Sequence, residues 1–265
     1  MMILEKIIAH KRREVEEKRQ LVPIKQLEQS EHFNAPTVSL VKYLKRPDKV
    51  GIIAEIKRKS PSKGVINEYF SVEQVSIGYM QAGASALSIL TDKEFFGGAN
   101  EDLITARKFN YCPILRKDFT VDEYQIVEAR SIGADAILLI ASALETVEIK
   151  RFAAFAKSLE LEVLLEVHEA NEIPEDIENI DVIGVNNRNL HDFSVDTNRS
   201  LEIAAKLPPN LTKISESGLD DVGQILKLKN AGFNGFLIGE AFMRTSQPEI
   251  ACAEFIGKIK FENEN

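Results

Sequence analysis

Two stretches decide how this chain folds: Ala54-Glu55-Ile56-Lys57-Arg58-Lys59-Ser60-Pro61-Ser62-Lys63-Gly64 and Leu115-Arg116-Lys117-Asp118-Phe119. In each, an apolar run with the character of a buried strand carries ionisable side chains at or near its C-terminal end. An unpaired buried charge costs several kcal/mol, so stability alone does not explain Glu55, Lys57 and Lys117. Ionisable groups at the ends of several parallel strands are what acid–base chemistry on a barrel requires.

Working outward, the same pattern recurs: a short β-rich apolar run, polar residues, then a helix-period segment. The runs predict strands over Gly51–Lys57, Ala86–Thr91, Pro113–Lys117, Ala136–Ala141, Glu162–Val167, Asp181–Asn186, Thr212–Glu216 and Gly235–Gly239. Most are too apolar for a sheet wetted on one face. Helical periodicity marks Ser71–Ala82, Val121–Ile132, Thr146–Leu159, Ser200–Lys206 and Leu219–Ala231. Eight alternations predict an α/β fold, a single closed (β/α)8 barrel, also called a TIM barrel. Glycines in turns such as Ala82-Gly83-Ala84 stop a helix and feed the next strand. An open doubly wound sheet is the rival, but no G-x-G-x-x-G follows the first strand.

One domain over residues 1–265 is expected, with residues 1–46 as an N-terminal helical extension that caps the barrel. Ile3, Leu4, Ile7, Ile8 and Val15 mark an amphipathic helix there, followed by a second short segment at Val38–Leu44. The run from His10 to Arg19 is basic, but its interleaved glutamates read as a solvated helix face rather than a nucleic-acid arm.

The chain has 265 residues, 44% of them hydrophobic, enough for a sizeable core. A net charge of −8 argues against nucleic acid as the main partner. Cys112 and Cys252 fit no metal or redox spacing, which suits a reducing, cytoplasmic setting. His10, His32, His168 and His191 form no HxH or HExxH pattern, so no metal is expected. The apolar stretch Ile3 to Ala9 is short and interrupted by Glu5 and Lys6, which excludes a signal peptide or a membrane span. Nothing marks an interface, and a monomer is expected.

In a barrel the C-terminal strand ends face the active site. Here they carry Glu55, Lys57, Lys59, Thr91, Asp92, Lys117, Ser142, Glu166, Asn186, Asn187, Arg188, Glu216, Ser217, Gly239 and Glu240. Glu55 and Lys57 are two residues apart and share a strand face, so they can pair. A structural ion pair plugging the mouth is the alternative for these two. Lys117 follows Pro113-Ile114-Leu115, where desolvation is expected to pull its pKa down toward neutrality. Glu166 ends Val163-Leu164-Leu165, where the same effect is expected to raise a carboxyl pKa. Together they suggest an acid and a base across one pocket. Glu216-Ser217-Gly218 and Gly239-Glu240 follow the seventh and eighth strands, the usual phosphate position of this fold. Ser62-Lys63-Gly64 lacks the spacing of a Walker loop. These residues support a barrel enzyme with a phosphorylated small-molecule substrate, using lysine and glutamate without a cofactor.

The Ala54–Gly64 string closely resembles the signature of the indole-3-glycerol-phosphate synthase family. The resemblance continues through Leu90-Thr91-Asp92, Phe96-Gly97-Gly98, Leu115–Phe119, Leu165-Glu166-Val167-His168, Gly184-Val185-Asn186-Asn187-Arg188-Asn189-Leu190, Ser215–Gly218 and Leu237–Glu240. It implies decarboxylating ring closure and dehydration of 1-(2-carboxyphenylamino)-1-deoxyribulose 5-phosphate in tryptophan biosynthesis. It implies further that Lys117 is the general acid and Glu166 the general base, with Glu55 and Lys57 binding substrate and aiding proton transfer. Lys59, Ser217, Gly218, Gly239 and Glu240 match phosphate-site positions, and the Glu240 side chain is expected to turn away from the anion. Ser60 and Pro61 belong to the same substrate-binding signature. Asn186, Arg188 and Glu216 match polar wall residues, and Phe95, Phe119 and Leu138 are expected around the anthranilate ring. Other readings are phosphoribosylanthranilate isomerase, the tryptophan synthase α subunit, or a relative that binds without turnover. The first two use aspartate with cysteine, or two carboxylates, and do not call for interior lysines.

Overall fold

The computed structural model describes residues 3–189, 192–208 and 210–264, so Leu190 and His191 of the sequence reading lie outside the described residues. Eight strands close into one barrel: β1 (Ile52–Ile56), β2 (Ala86–Leu90), β3 (Ile114–Lys117), β4 (Ala136–Ile140), β5 (Glu162–Val167), β6 (Val182–Asn186), β7 (Thr212–Glu216) and β8 (Gly235–Ile238). Each predicted strand end lies within one residue of the observed one. All neighbours pair in parallel, and β1 closes on β8 with Ile52 opposite Phe236. Helices alternate with the strands, among them Val72–Ala82, Asn100–Phe109, Glu123–Ser131, Thr146–Ser158 and Val222–Asn230. The first of these ends at Gly83, whose left-handed φ of 103° turns the chain toward β2.

Period-two alternation sorts the strand residues into two cores. Ile52, Ala54, Leu87, Ile89, Ile137 and Leu139 face outward into the layer between sheet and helices. Ile53, Ala86, Leu115, Ala136, Leu138, Leu164, Val182, Ile214 and Leu237 face inward and fill the barrel. Because Glu55, Lys117, Glu166, Asn186 and Glu216 are an even number of residues from inward-facing ones on their own strands, they point inward too. The barrel is apolar at its base and ionic at its mouth.

The N-terminal segment covers both ends. Leu40 and Leu44 of the short helix Leu40–Leu44 join the inner apolar cluster, and Glu162 at the start of β5 accepts from Val41 N at 2.9 Å. The long helix Ile3–Leu21 crosses the mouth instead, with Ile3, Leu4 and Ile7 facing the cavity there. Lys11 anchors it. Its ammonium lies 2.9 Å from Asp92, 3.0 Å from Asp118 and 2.9 Å from Glu14. Interleaved charges predict a solvated face for the His10–Arg19 run, but Lys11 is only 1% exposed and Val15 is also buried. The correction has a physical reason: two carboxylates from the barrel supply the partners that make a buried ammonium tolerable.

Those partners also change the part assigned to Thr91 and Asp92. Asp92 accepts from Phe95 N and Phe96 N, capping the helix Lys93–Phe96, and its other oxygen meets Lys11. Thr91 donates to Asp118 at 2.6 Å, and Arg116 reaches Thr91, Asp118 and Glu128 from the outer face of β3. Both residues therefore hold the scaffold just outside the cavity.

Candidate active site

A cavity of about 470 Å³ opens at the C-terminal strand ends. At its floor Lys117, from the end of β3, donates to Glu166 at 2.6 Å and to Glu216 at 2.9 Å. Asn186 Nδ2 donates to the second oxygen of Glu166 at 3.0 Å, which fixes the plane of that carboxylate. Across the floor Lys57 donates to Glu55 Oε1 at 2.7 Å, and Ser88 reaches Glu55 Oε2 at 3.4 Å. Two ammonium groups thus face three carboxylates from three different strands.

This charge balance overturns the expected pKa direction at Lys117. Burial does pull its ammonium pKa down, but Glu166, Glu216 and Glu55 outweigh that and hold it above the ordinary lysine value. Glu166 also departs from expectation. Burial pushes it up, yet Lys117, His168 and Asn186 bring it down to about 2. The raised carboxyl is Glu216, pushed up to about 7 by burial and by the Glu166 charge, against the pull of Lys117. One ammonium cannot neutralise two buried carboxylates, so the second keeps its proton more readily.

Gly184 makes this arrangement possible. It faces the barrel interior on β6, and a Cβ there would collide with Glu216 Oε1. Gly184→Ala should push Glu216 off Lys117 and, if this floor does the chemistry, lower kcat roughly tenfold or more, since small displacements in an active site are costly. Steady-state kinetics on the purified variant checks this, with an unchanged circular dichroism spectrum as the control.

The rim is built from two places. After β7 the backbone turns sharply, with Ser217 and Gly218 both left-handed at φ 71° and 72°. A left-handed serine is strained, and such strain persists where surrounding structure imposes it. After β8, Gly239 precedes the short helix Glu240–Met243. The Glu240 carboxylate does not turn away from the cavity. It stands at the rim between Arg188, at 3.4 Å, and Lys63, at 3.5 Å. Two cations hold it there by charge.

Glu55, Lys57, Lys117, Glu166, Asn186, Arg188, Glu216, Ser217, Gly218, Gly239, Glu240, Ser60, Pro61, Phe119 and Leu138 all line this one cavity. Of the residues the family resemblance matched to substrate, two do not. Lys59 is drawn aside, its ammonium on the carbonyl of Glu94 at 2.7 Å. Phe95 turns out toward His10, ring edge to face at 5.6 Å. Their places are taken by neighbours: Lys63 carries the rim cation, and Phe96 stands 6.0 Å from Phe119. The signal for Lys63 lay in the Ser62-Lys63-Gly64 string, a basic residue beside a glycine, although its spacing departs from the Walker loop. Ser142 and Asn187 also fall outside the lining; Asn187 instead bonds Ser215 and the carbonyl of Ser217, bracing the left-handed turn.

Comparison with known proteins gives this geometry a context. The chain is similar to the family described as indole-3-glycerol phosphate synthase over residues 4–255. A relative of that name from Bacteroides thetaiotaomicron is 47% identical over 258 residues, 97% of this chain and 99% of the relative. One from Acidithiobacillus ferrooxidans is 42% identical over 250 residues, 93% of this chain and 95% of the relative. Among solved structures, thiamine phosphate pyrophosphorylase from Pyrococcus furiosus superposes with a TM-score of 0.59 at 18% identity, covering 81% of this chain and 97% of that one. That likeness speaks to the fold alone. With a family match across nearly its whole length and relatives of that name at more than 40% identity, the chain belongs to the indole-3-glycerol phosphate synthase family.

Proposed function

We propose that this cavity performs the family's decarboxylating ring closure with Lys117 as the proton donor and Glu166 as the base. The observation that carries the assignment is Lys117 held between Glu166 and Glu216 on the cavity floor, at 2.6 and 2.9 Å. The activity is that of a carboxy-lyase in tryptophan biosynthesis, acting on a phosphorylated substrate. Its other candidates, the isomerase and the α subunit barrels, give way to the family match.

As the aromatic carbon bearing the carboxylate attacks the ribulose carbonyl, negative charge develops on oxygen. A cationic lysine on a dry floor stabilises that charge and supplies the proton. Its raised pKa keeps it charged at neutral pH, and a developing alkoxide is basic enough to take the proton. Carbon dioxide then leaves and the ring regains aromaticity. Glu166, ionised down to about pH 2, removes the carbon-bound proton as the hydroxyl departs as water. Glu55 and Lys57 bind substrate and aid these transfers from the opposite strand.

At the rim, Ser217, Gly218, Gly239 and the cations Lys63 and Arg188 suit the phosphate. Phe96, Phe119, Leu138 and the helix residues Ile3, Leu4 and Ile7 suit the anthranilate ring. Lys59 and Phe95 would serve only after side-chain movement. No metal and no cofactor enters this scheme. We further propose one domain over residues 1–265, with 1–46 as its extension, acting as a cytoplasmic monomer without a nucleic-acid partner. Among the described residues no helix is long and apolar enough to cross a membrane.

Incubating the purified protein with the carboxyphenylamino-deoxyribulose phosphate and following indole fluorescence tests the assignment. No signal at micromolar enzyme overturns it. The pH dependence of stability gives a second check. Glu216 in the folded protein holds its proton up to about 7, against an ordinary 4.5. Between those values the folded state binds more protons than the unfolded one, so stability falls as pH rises through that window. Glu216→Gln should reduce this slope, as read from urea midpoints measured across it, leaving the part that His168 adds near its upper end.

A further inference from the structure

The reaction has a proton requirement that the cavity floor alone does not meet. Carbon dioxide leaves as a neutral gas from a carboxylate. Two protons are given to oxygen, one at the carbonyl and one at the departing hydroxyl, and one is recovered from carbon. One proton per turnover must therefore come from solvent. Glu166 can return the recovered proton to Lys117 across 2.6 Å. The other has to enter a site whose mouth is covered by substrate and by the helix Ile3–Leu21.

His168 lies behind Glu166, on the side away from Lys117. It is only 6% exposed, and among the described residues neither ring nitrogen has a partner within hydrogen-bond distance. Buried polar groups are nearly always satisfied, so an imidazole idle at both ends calls for a reason. Its Nε2 is 3.7 Å from Glu166 Oε1 and its Nδ1 is 3.8 Å from Glu172 Oε2. Each gap exceeds a hydrogen bond by less than about 1 Å, within reach of a small ring rotation. Glu172 is held in place, its Oε2 accepting from His168 N at 2.6 Å and Glu169 N at 3.3 Å. With its side chain 22% exposed, Glu172 touches water.

The geometry points to His168 as the inlet that recharges the site: a proton passes from solvent through Glu172 and His168 to Glu166, and from there to Lys117. The imidazolium gives its Nε2 proton to Glu166 Oε1. The neutral ring, still protonated at Nδ1, then turns so that its bare nitrogen meets Glu172 and takes a proton there, and turning back restores the imidazolium. With Oε1 protonated, the Glu166 carboxyl breaks its bond from Asn186 and turns to present the proton to the neutral Lys117 amine. No electrons move, and each turnover takes one proton inward. Three carboxylates bear on the ring, Glu166, Glu172 and Glu216. They favour its cationic form against the opposing effect of burial, which suits an imidazole that must carry a proton. His168 does not line the cavity, so it acts through Glu166 as a positioning and relay residue.

This inference rests on Glu166 and Lys117 acting as proposed above, and the test separates the two. A resting site already holds its protons, so the first turnover does not need the inlet and later ones do. In rapid-quench kinetics His168→Gln should complete its first turnover within about twofold of wild type, then slow to a steady state reduced about tenfold or more. KM should stay put, and Glu172→Gln should show the same split. Unchanged steady-state turnover overturns the inlet, as does a first turnover that slows equally, which marks a merely structural role. Glu166→Gln is run beside them. If it leaves the first turnover intact, the assignment of the base has failed, whatever His168 does. Should the His168 variant not fold, nitrogen-15 spectra of the wild-type imidazole decide the matter. A ring that stays neutral throughout pH of about 6 to 8 overturns the proposal, and one protonated at neutral pH supports it.

Discussion

Lys117→Met is expected to lower kcat by about 10²- to 10⁴-fold, the range typical of a lost general acid, while substrate still binds. Methionine keeps the length of the side chain and removes the ammonium. Three carboxylates then face one another with only Lys57 as a cation on the floor. Glu166 loses its 2.6 Å partner, and its pKa rises from about 2 because burial is then opposed only by His168 and Asn186. A substrate carbonyl approaching that end of the floor meets no ammonium, because Lys57 stands across it on Glu55. Single-turnover kinetics with indole fluorescence gives the rate, and equilibrium titration with substrate gives the affinity. A kcat near wild type with only KM raised makes Lys117 a binding residue and removes it from the chemistry.

The second large effect is on stability. Lys11→Met should destabilise the protein by about 3–5 kcal/mol, the cost of removing one partner from a buried ion cluster. Asp92 and Asp118 are 0% and 3% exposed, and both would lose the ammonium that neutralises them. Burial pushes Asp118 up, while Lys11 and Arg116 hold it below the usual aspartate range. That depression stabilises the fold above the ordinary aspartate pKa, and it is lost as pH falls through the depressed value. The variant should therefore differ most from wild type near neutral pH and converge on it in acid. Urea unfolding at neutral and acidic pH checks both the size and the convergence. A loss below about 1 kcal/mol at neutral pH would place the anchor elsewhere in the helix.

Much of the fold was legible because barrel strands obey a two-residue period and buried parallel strands are continuously apolar. That is why all eight strand ends could be placed closely. The floor was legible for the same reason: a lysine or glutamate at an inward position of such a strand costs stability and so points to chemistry. What composition and period could not supply was distance. The pKa directions of Lys117 and Glu166 were misjudged because desolvation can be read from one strand, whereas the opposing charge arrives from another. Lys11 was misjudged for a similar reason, since its partners lie after β2 and β3. Lys59 and Lys63 could not be ranked, because side chains in a short hairpin point where local carbonyls and carboxylates draw them. His168 looked ordinary in sequence, and only its two unpartnered nitrogens set it apart.

Closure of the sheet bears on how the chain is made. Ile52 must pair with Phe236, so the first strand leaves the ribosome long before its last neighbour is synthesised. Until then the growing sheet has two open edges flanked by apolar side chains, the condition under which chains join one another instead of themselves. Sequence-distant pairing of this kind is slow to form. Any change that delays emergence of Gly235–Ile238 should therefore cost yield of native protein even where it leaves the finished enzyme untouched.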